Sequence, residues 1–124
     1  MNDKIFVFGN EDLKGDSLPL KILPKLQDKF PEIKFEIKDP NEEWNIPEEL
    51  IVLDTVVGIK NITIFNNLEK FSKVPRVSIH DFDALTNIKY LWKLGKIKKI
   101  KIIGLPQDMK ESVAIEEVSK ILKN

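Results

Sequence analysis

Three polar residues stand where apolar runs break off: Asp16 after KIFVFGNEDLKG, Asp54 after ELIVL and His80 after VPRVSI. Each run reads as a strand, so each polar group lies at or just past a strand's carboxyl end. That edge of an open α/β sheet is where ligands bind. Two carboxylates and an imidazole arriving there from three loops make a donor set for one divalent metal. Each residue also has a local role open to it. Asp16 favours the positive start of the helix that follows, Asp54 can close an Asx turn, and a lone His often flanks a helix. His80 is the only histidine, so a His-rich catalytic zinc site is excluded. Asp81 and Asp83 follow it and are candidates to orient its imidazole.

Other chemistries are excluded by what the chain lacks. It has no cysteine, which removes disulfides, zinc ribbons and thiol catalysis. The turn Gly9 to Asp16 (GNEDLKGD) is neither a GxGxxG fingerprint nor a phosphate-binding GxxxxGK[ST] loop, and its glycine reads as a residue for positive φ. No serine sits in GxSxG. Lysine plus arginine and aspartate plus glutamate number 20 each, a balance that makes no electrostatic case for nucleic acid or an anionic membrane as partner. The stretch Lys93 to Lys101 holds five lysines but no interleaved aromatics on which bases could stack. No apolar run approaches the ~20 residues of a spanning helix. The start shows no secretory pattern, so a cytoplasmic monomer is expected.

The positioning elements follow from periodicity. The 124 residues suffice for one domain over 1–124. Lys4 to Phe8 reads as a strand buried on both faces. Ser17 is the expected cap of a helix carrying Leu18, Ile22, Leu23 and Leu26, which Pro24 should kink or split. Ile33 to Ile37 alternates like an edge strand. Lys38 to Pro47 is loop, with Trp44 as anchor. Leu50 to Leu53 is a buried strand ending at Asp54, and Asn61 to Phe65 is expected to be its antiparallel neighbour, since the connection is too short for a crossover helix. Val74 to Ile79 reads as an edge or loop. Asp83 is expected to cap a helix carrying Leu85, Ile88, Leu91, Trp92 and Leu94 and closed by Gly95. Lys98 to Ile103 is a strand, and Ser112 to Leu122 a final helix. The alternation predicts a three-layer α/β/α sandwich whose sheet of about five strands is mostly parallel, with an antiparallel strand.

In their order, these pieces resemble the hydrogenase maturation protease family, which trims the C-terminus of the nickel–iron hydrogenase large subunit. The resemblance lies in Gly9-Asn10 followed by Asp16, in Ile51-Val52-Leu53-Asp54, in Ser78-Ile79-His80 at the start of a long helix, and in Ile103-Gly104-Leu105-Pro106-Gln107. It implies that Asp16, Asp54 and His80 bind metal and serve catalysis, that the metal is nickel carried by the substrate, and that the partner is a large-subunit precursor. Departures from the family pattern are Gly15 for an acidic residue, Pro19 for a glycine, and Ile37-Lys38-Asp39-Pro40-Asn41 in place of an Asp-Gly-Gly-Thr-like loop. The last leaves open a non-catalytic relative that binds nickel or a hydrogenase subunit.

Overall fold

The computed structural model describes residues 4–38, 47–73 and 79–123, the side chains of Ser72 and residues 79–84 excepted. Trp44 and Val74 to Ser78 therefore lie outside the described residues. Five strands form one sheet: β1 (Lys4–Val7), β2 (Lys34–Ile37), β3 (Glu49–Thr55), β4 (Thr63–Phe65) and β5 (Lys99–Leu105), in the spatial order β2-β1-β3-β5-β4. The first three strands and β5 run parallel, while β4 runs antiparallel at the edge. The helices are α1 (Leu18–Lys29), α2 (Leu68–Ser72), α3 (Ile79–Lys93) and α4 (Glu111–Lys123). The three-layer, mostly parallel sandwich is the one the sequence predicts.

Strand alternation sorts the core into two halves. Ile5 and Val7 of β1, Leu53 of β3 and Ile103 and Leu105 of β5 pack against α1 and α4. Phe6 and Phe8, Leu50 and Val52, and Ile100 and Ile102 pack on the other face with Leu68 and Phe71 of α2 and Leu85 and Ile88 of α3. Each such side chain, fully buried, contributes about 1.5–3 kcal/mol.

Several sequence expectations change. The 61–65 run is antiparallel as expected, but its partner is β5 rather than β3. The strand β5 is apolar on both faces and aligns with β3 from Glu49↔Lys99 to Thr55↔Leu105, so it takes the interior. The three-residue β4, with Ile64 exposed, takes the edge. Pro24 does not split α1, which continues from Leu18 to Lys29. Burial of Leu18, Ile22, Leu23 and Leu26 outweighs the missing N–H. Asp83 is not a cap, because α3 already begins at Ile79; helix propensity near an end yields to tertiary context. Gly95 does close α3. Its φ of 75° and the bonds Lys96 N–H to Leu91 O and Gly95 N–H to Trp92 O complete a Schellman motif. Of the apolar residues named for this helix, Trp92 and Leu94 are exposed beside that stop.

Gly104 is where the edge strand meets the sheet. A Cβ there would lie 2.7 Å from Val56 Cγ2, 3.1 Å from Phe65 Cε2 and 3.3 Å from Thr63 O. On the other edge, Glu36 gathers Lys4, Lys34 and Lys38 at 3.6, 3.5 and 3.7 Å, and Lys38 Nζ sits 4.9 Å from the Phe6 ring centroid. Burial pushes the Glu36 carboxyl up, but the three ammonium groups outweigh it and hold the pKa below its ordinary 4.5.

Replacing Gly104 by Ala is expected to destabilise the fold by about 1–3 kcal/mol in urea titration, and Gly104→Val by more. An unchanged midpoint for both would show that β4 approaches less closely. For Glu36 the folded pKa is depressed, so its ion pairs stabilise above the unfolded value of 4.5 and are lost as pH falls through the folded value. Glu36→Gln should therefore be less stable than the parent at neutral pH, by no more than about 1 kcal/mol. The gap should close in acid; one that widened would contradict the sign.

Candidate functional site

The carboxyl edge of the sheet is built around the point where strand order reverses. From β1 the chain moves outward to β2, then returns across to β3, so β1 and β3 flank the switch point. The register Val7↔Leu53 puts Phe8 level with Asp54, and Phe8 N–H donates to Leu53 O at 3.0 Å. On the other side of β3, Val56 N–H donates to Leu105 O at 2.8 Å. The three strand ends are thereby tied together.

Asp16 reaches this edge through a folded turn. Asn10 Oδ1 accepts from Asp12 N–H at 2.9 Å, Leu13 N–H donates to Asn10 O, and Asp16 N–H donates to Leu13 O. Asn10 N–H then closes the turn on Asp16 O at 2.9 Å. Gly9 has no positive φ, contrary to its reading from sequence. Its role is room: a Cβ would lie 2.9 Å from Asp16 O and 3.3 Å from Leu20 Cγ. Asp16 ends a short 3₁₀ turn, and Ser17, the residue before α1, donates to Lys14 O rather than capping the helix.

Asp16 and Asp54 are 2% and 3% exposed. Two carboxylates so deeply buried, one ending the turn after β1 and one near the end of β3, are costly as charges and are candidates for a site. The local role expected of Asp54 is present in part, as its Oδ1 accepts from Thr55 N–H at 2.8 Å. The Thr55 hydroxyl, also buried, has no hydrogen-bond partner among the described residues. Such an orphan is a cost of about 1–3 kcal/mol that sites retain and cores avoid.

By alternation Asp54 shares its face with Leu50 and Val52, the face α3 covers. Helix α3 ends at Gly95, a few residues before β5 starts at the opposite edge, so its first turn lies at the carboxyl edge. His80 is the second residue of that turn. The fold thus brings the backbones of Asp54 and His80 to one face and one edge. The side chains of His80, Asp81 and Asp83 lie outside the described residues. Among the described residues alone no group of three His, Asp or Glu side chains is gathered as for a metal.

The sequence does not reveal a cleft of about 910 Å³ on the α1/α4 side of the same edge. Its walls are the turn around Asp16 (Lys14, Gly15, Ser17), the loop after β3 (Gly58 to Lys60) and the loop after β5 (Gln107 to Glu111). Gln107 Nε2 donates to Gly15 O at 3.3 Å and joins two of these walls. Its residues are far apart in the chain: the Gly9 to Asp16 turn and the Leu105-Pro106-Gln107 turn each stood out in the sequence, but not their meeting in one cleft.

Comparison with solved structures shows what the fold matches. The fold is shared with hydrogenase maturation endopeptidases. The hydrogenase maturating endopeptidase HybD from E. coli superposes with a TM-score of 0.70 at 17% identity, over 99% of this chain and 93% of that one. An endopeptidase from Escherichia coli gives 0.67 at 16%, covering 96% and 89%. The hydrogenase 2 maturation peptidase of a Thaumarchaeota archaeon gives 0.53 at 14%, covering 98% of each. No family model and no curated protein sequence matches the chain. The endopeptidase fold is therefore kept over nearly the whole length at low identity. No helix among the described residues is long and apolar enough to cross a membrane.

Gly9→Ala is expected to displace the Asp16 turn at a cost of about 1–3 kcal/mol, read by thermal melting. Amide exchange at Asn10 and Asp16 should accelerate more than in the β5 core. Uniform acceleration would deny Gly9 a local role.

Proposed function

We propose that this chain is an endopeptidase of hydrogenase maturation, removing the C-terminal extension of a nickel-loaded nickel–iron hydrogenase large-subunit precursor. The observation that carries the reading is the pair of buried carboxylates, Asp16 and Asp54, at the switch point of a fold shared end to end with such endopeptidases. In this reading Asp16, Asp54 and His80 bind the nickel that the substrate brings. Carboxylate oxygens and an imidazole suit nickel, and also other divalent metals. Bound nickel would polarise the scissile carbonyl or acidify an attacking water.

The chain's own groups do the rest. The closed turn from Asn10 to Asp16 and the strand β3 hold the two carboxylates on rigid backbone, so no rearrangement is needed when substrate arrives. A carboxylate oxygen not bound to the ion accepts the water's proton. Water adds to the carbonyl carbon, the C–N bond breaks, and the leaving nitrogen takes the proton, giving a new carboxylate and an amine. With the ion arriving on the precursor, an unloaded precursor lacks the polarising charge and stays uncut.

The test is to mix the protein with nickel-loaded and nickel-free precursor and follow the C-terminus by mass spectrometry. Release of the tail is expected from the loaded form only, with Asp16→Asn, Asp54→Asn and His80→Ala each slowing it about 100-fold or more. Binding of the precursor without release would sink the endopeptidase reading in favour of the non-catalytic one left open by Ile37 to Asn41.

A further inference from the structure

The cleft beside Asp16 carries a charge that the neutral composition hides. Lys14, Lys21, Lys60 and Lys110 line it against Asp108 and Glu111, a surplus of two positive charges. All four lysines are exposed, and none is ion-paired with a carboxylate among the described residues. They come from the turn before α1, from α1, from the loop after β3 and from the residue before α4, so the fold alone assembles them. Between them lie Leu18, Ile59 and Met109, which give the floor an apolar component.

We infer that this cleft binds an acidic peptide segment, the part of the substrate that runs past the Asp16 turn. Lysine ammonium groups are matched by side-chain carboxylates, and the apolar floor suits the aliphatic side chains between them. A nucleotide or polyphosphate fits less well. No aromatic residue lines the cleft to stack a base, and two carboxylates would repel a dense phosphate charge. The wall formed by Lys14, Gly15 and Ser17 belongs to the turn that carries Asp16, so a chain seated here contacts the same turn that holds this buried carboxylate. What the peptide belongs to rests on the endopeptidase reading; its binding does not.

The test uses the full chain and two fluorescein-labelled peptides of equal length, one glutamate-rich and one lysine-rich, read by fluorescence anisotropy. The glutamate-rich peptide should bind, more weakly as salt rises, and the lysine-rich peptide should not. The double variant Lys60→Glu/Lys110→Glu should weaken binding about tenfold or more, and Lys60→Gln/Lys110→Gln by less. Lys70→Glu/Lys123→Glu changes net charge equally but lies away from the cleft, and should stay within about twofold of the parent. No binding of the glutamate-rich peptide, or equal losses in the two Glu double variants, overturns the cleft assignment. Peptide binding without precursor cleavage overturns the endopeptidase reading alone. Cleavage with an unchanged KM in Lys60→Glu/Lys110→Glu overturns the cleft alone.

Discussion

The parallel alignment of β1, β3 and β5 is the constraint on which the rest of this molecule depends. Parallel strands need a crossover between them, and each crossover begins at the carboxyl edge. Every loop of chemical interest therefore leaves from one side of the sheet: the Asp16 turn after β1, the Gly58 loop after β3 and the Gln107 loop after β5. The bonds from Phe8 to Leu53 and from Val56 to Leu105 hold these exits in register. A slip of one residue in β3 would carry Asp54 to the opposite face, away from α3.

That alignment also explains how two buried carboxylates can be retained. Asp54 is the penultimate residue of a strand whose preceding positions are packed on both faces, and Asp16 ends a turn closed by backbone hydrogen bonds. Neither position can relax into solvent without breaking ladder or turn bonds. The two core halves supply the opposing free energy, because they bury nearly all of β1, β3 and β5. In β3 stability and site are thus divided along the strand, apolar through the middle and polar at Asp54 and Thr55.

Much of this was legible before any coordinates. The strands at Lys4, Leu50 and Lys98 announce themselves by continuous apolar runs, and Gly95 by following a helical pattern. Asp16 and Asp54 were legible because strand ends are marked by the loss of apolar character. What failed did so for physical reasons. Of the two effects expected of Pro24, a kink or a split, the split does not occur, because the helix buries residues on both sides of it. Gly9 looked like a residue for a left-handed turn but is small because Asp16 O presses on it. The lysine cleft left no trace in a chain of zero net charge, since its members come from four separate segments.

The sequence by itself determined most of the local geometry: the five strands, the helices α1 and α4, the Gly95 stop of α3, and acidic groups at Asp16 and Asp54. It did not reveal α2 and began α3 at Asp83 rather than Ile79. The features it determined depend on period, on φ and on side-chain size within a few residues. Only the tertiary structure decided that β5 rather than β4 lies beside β3, that Asp54 shares a face with the first turn of α3, and that four lysines converge around one cleft walled by Lys14, Gly15 and Ser17. Those outcomes turn on which apolar faces cover one another across the whole chain. That competition is settled by total burial, and no window of neighbouring residues contains it.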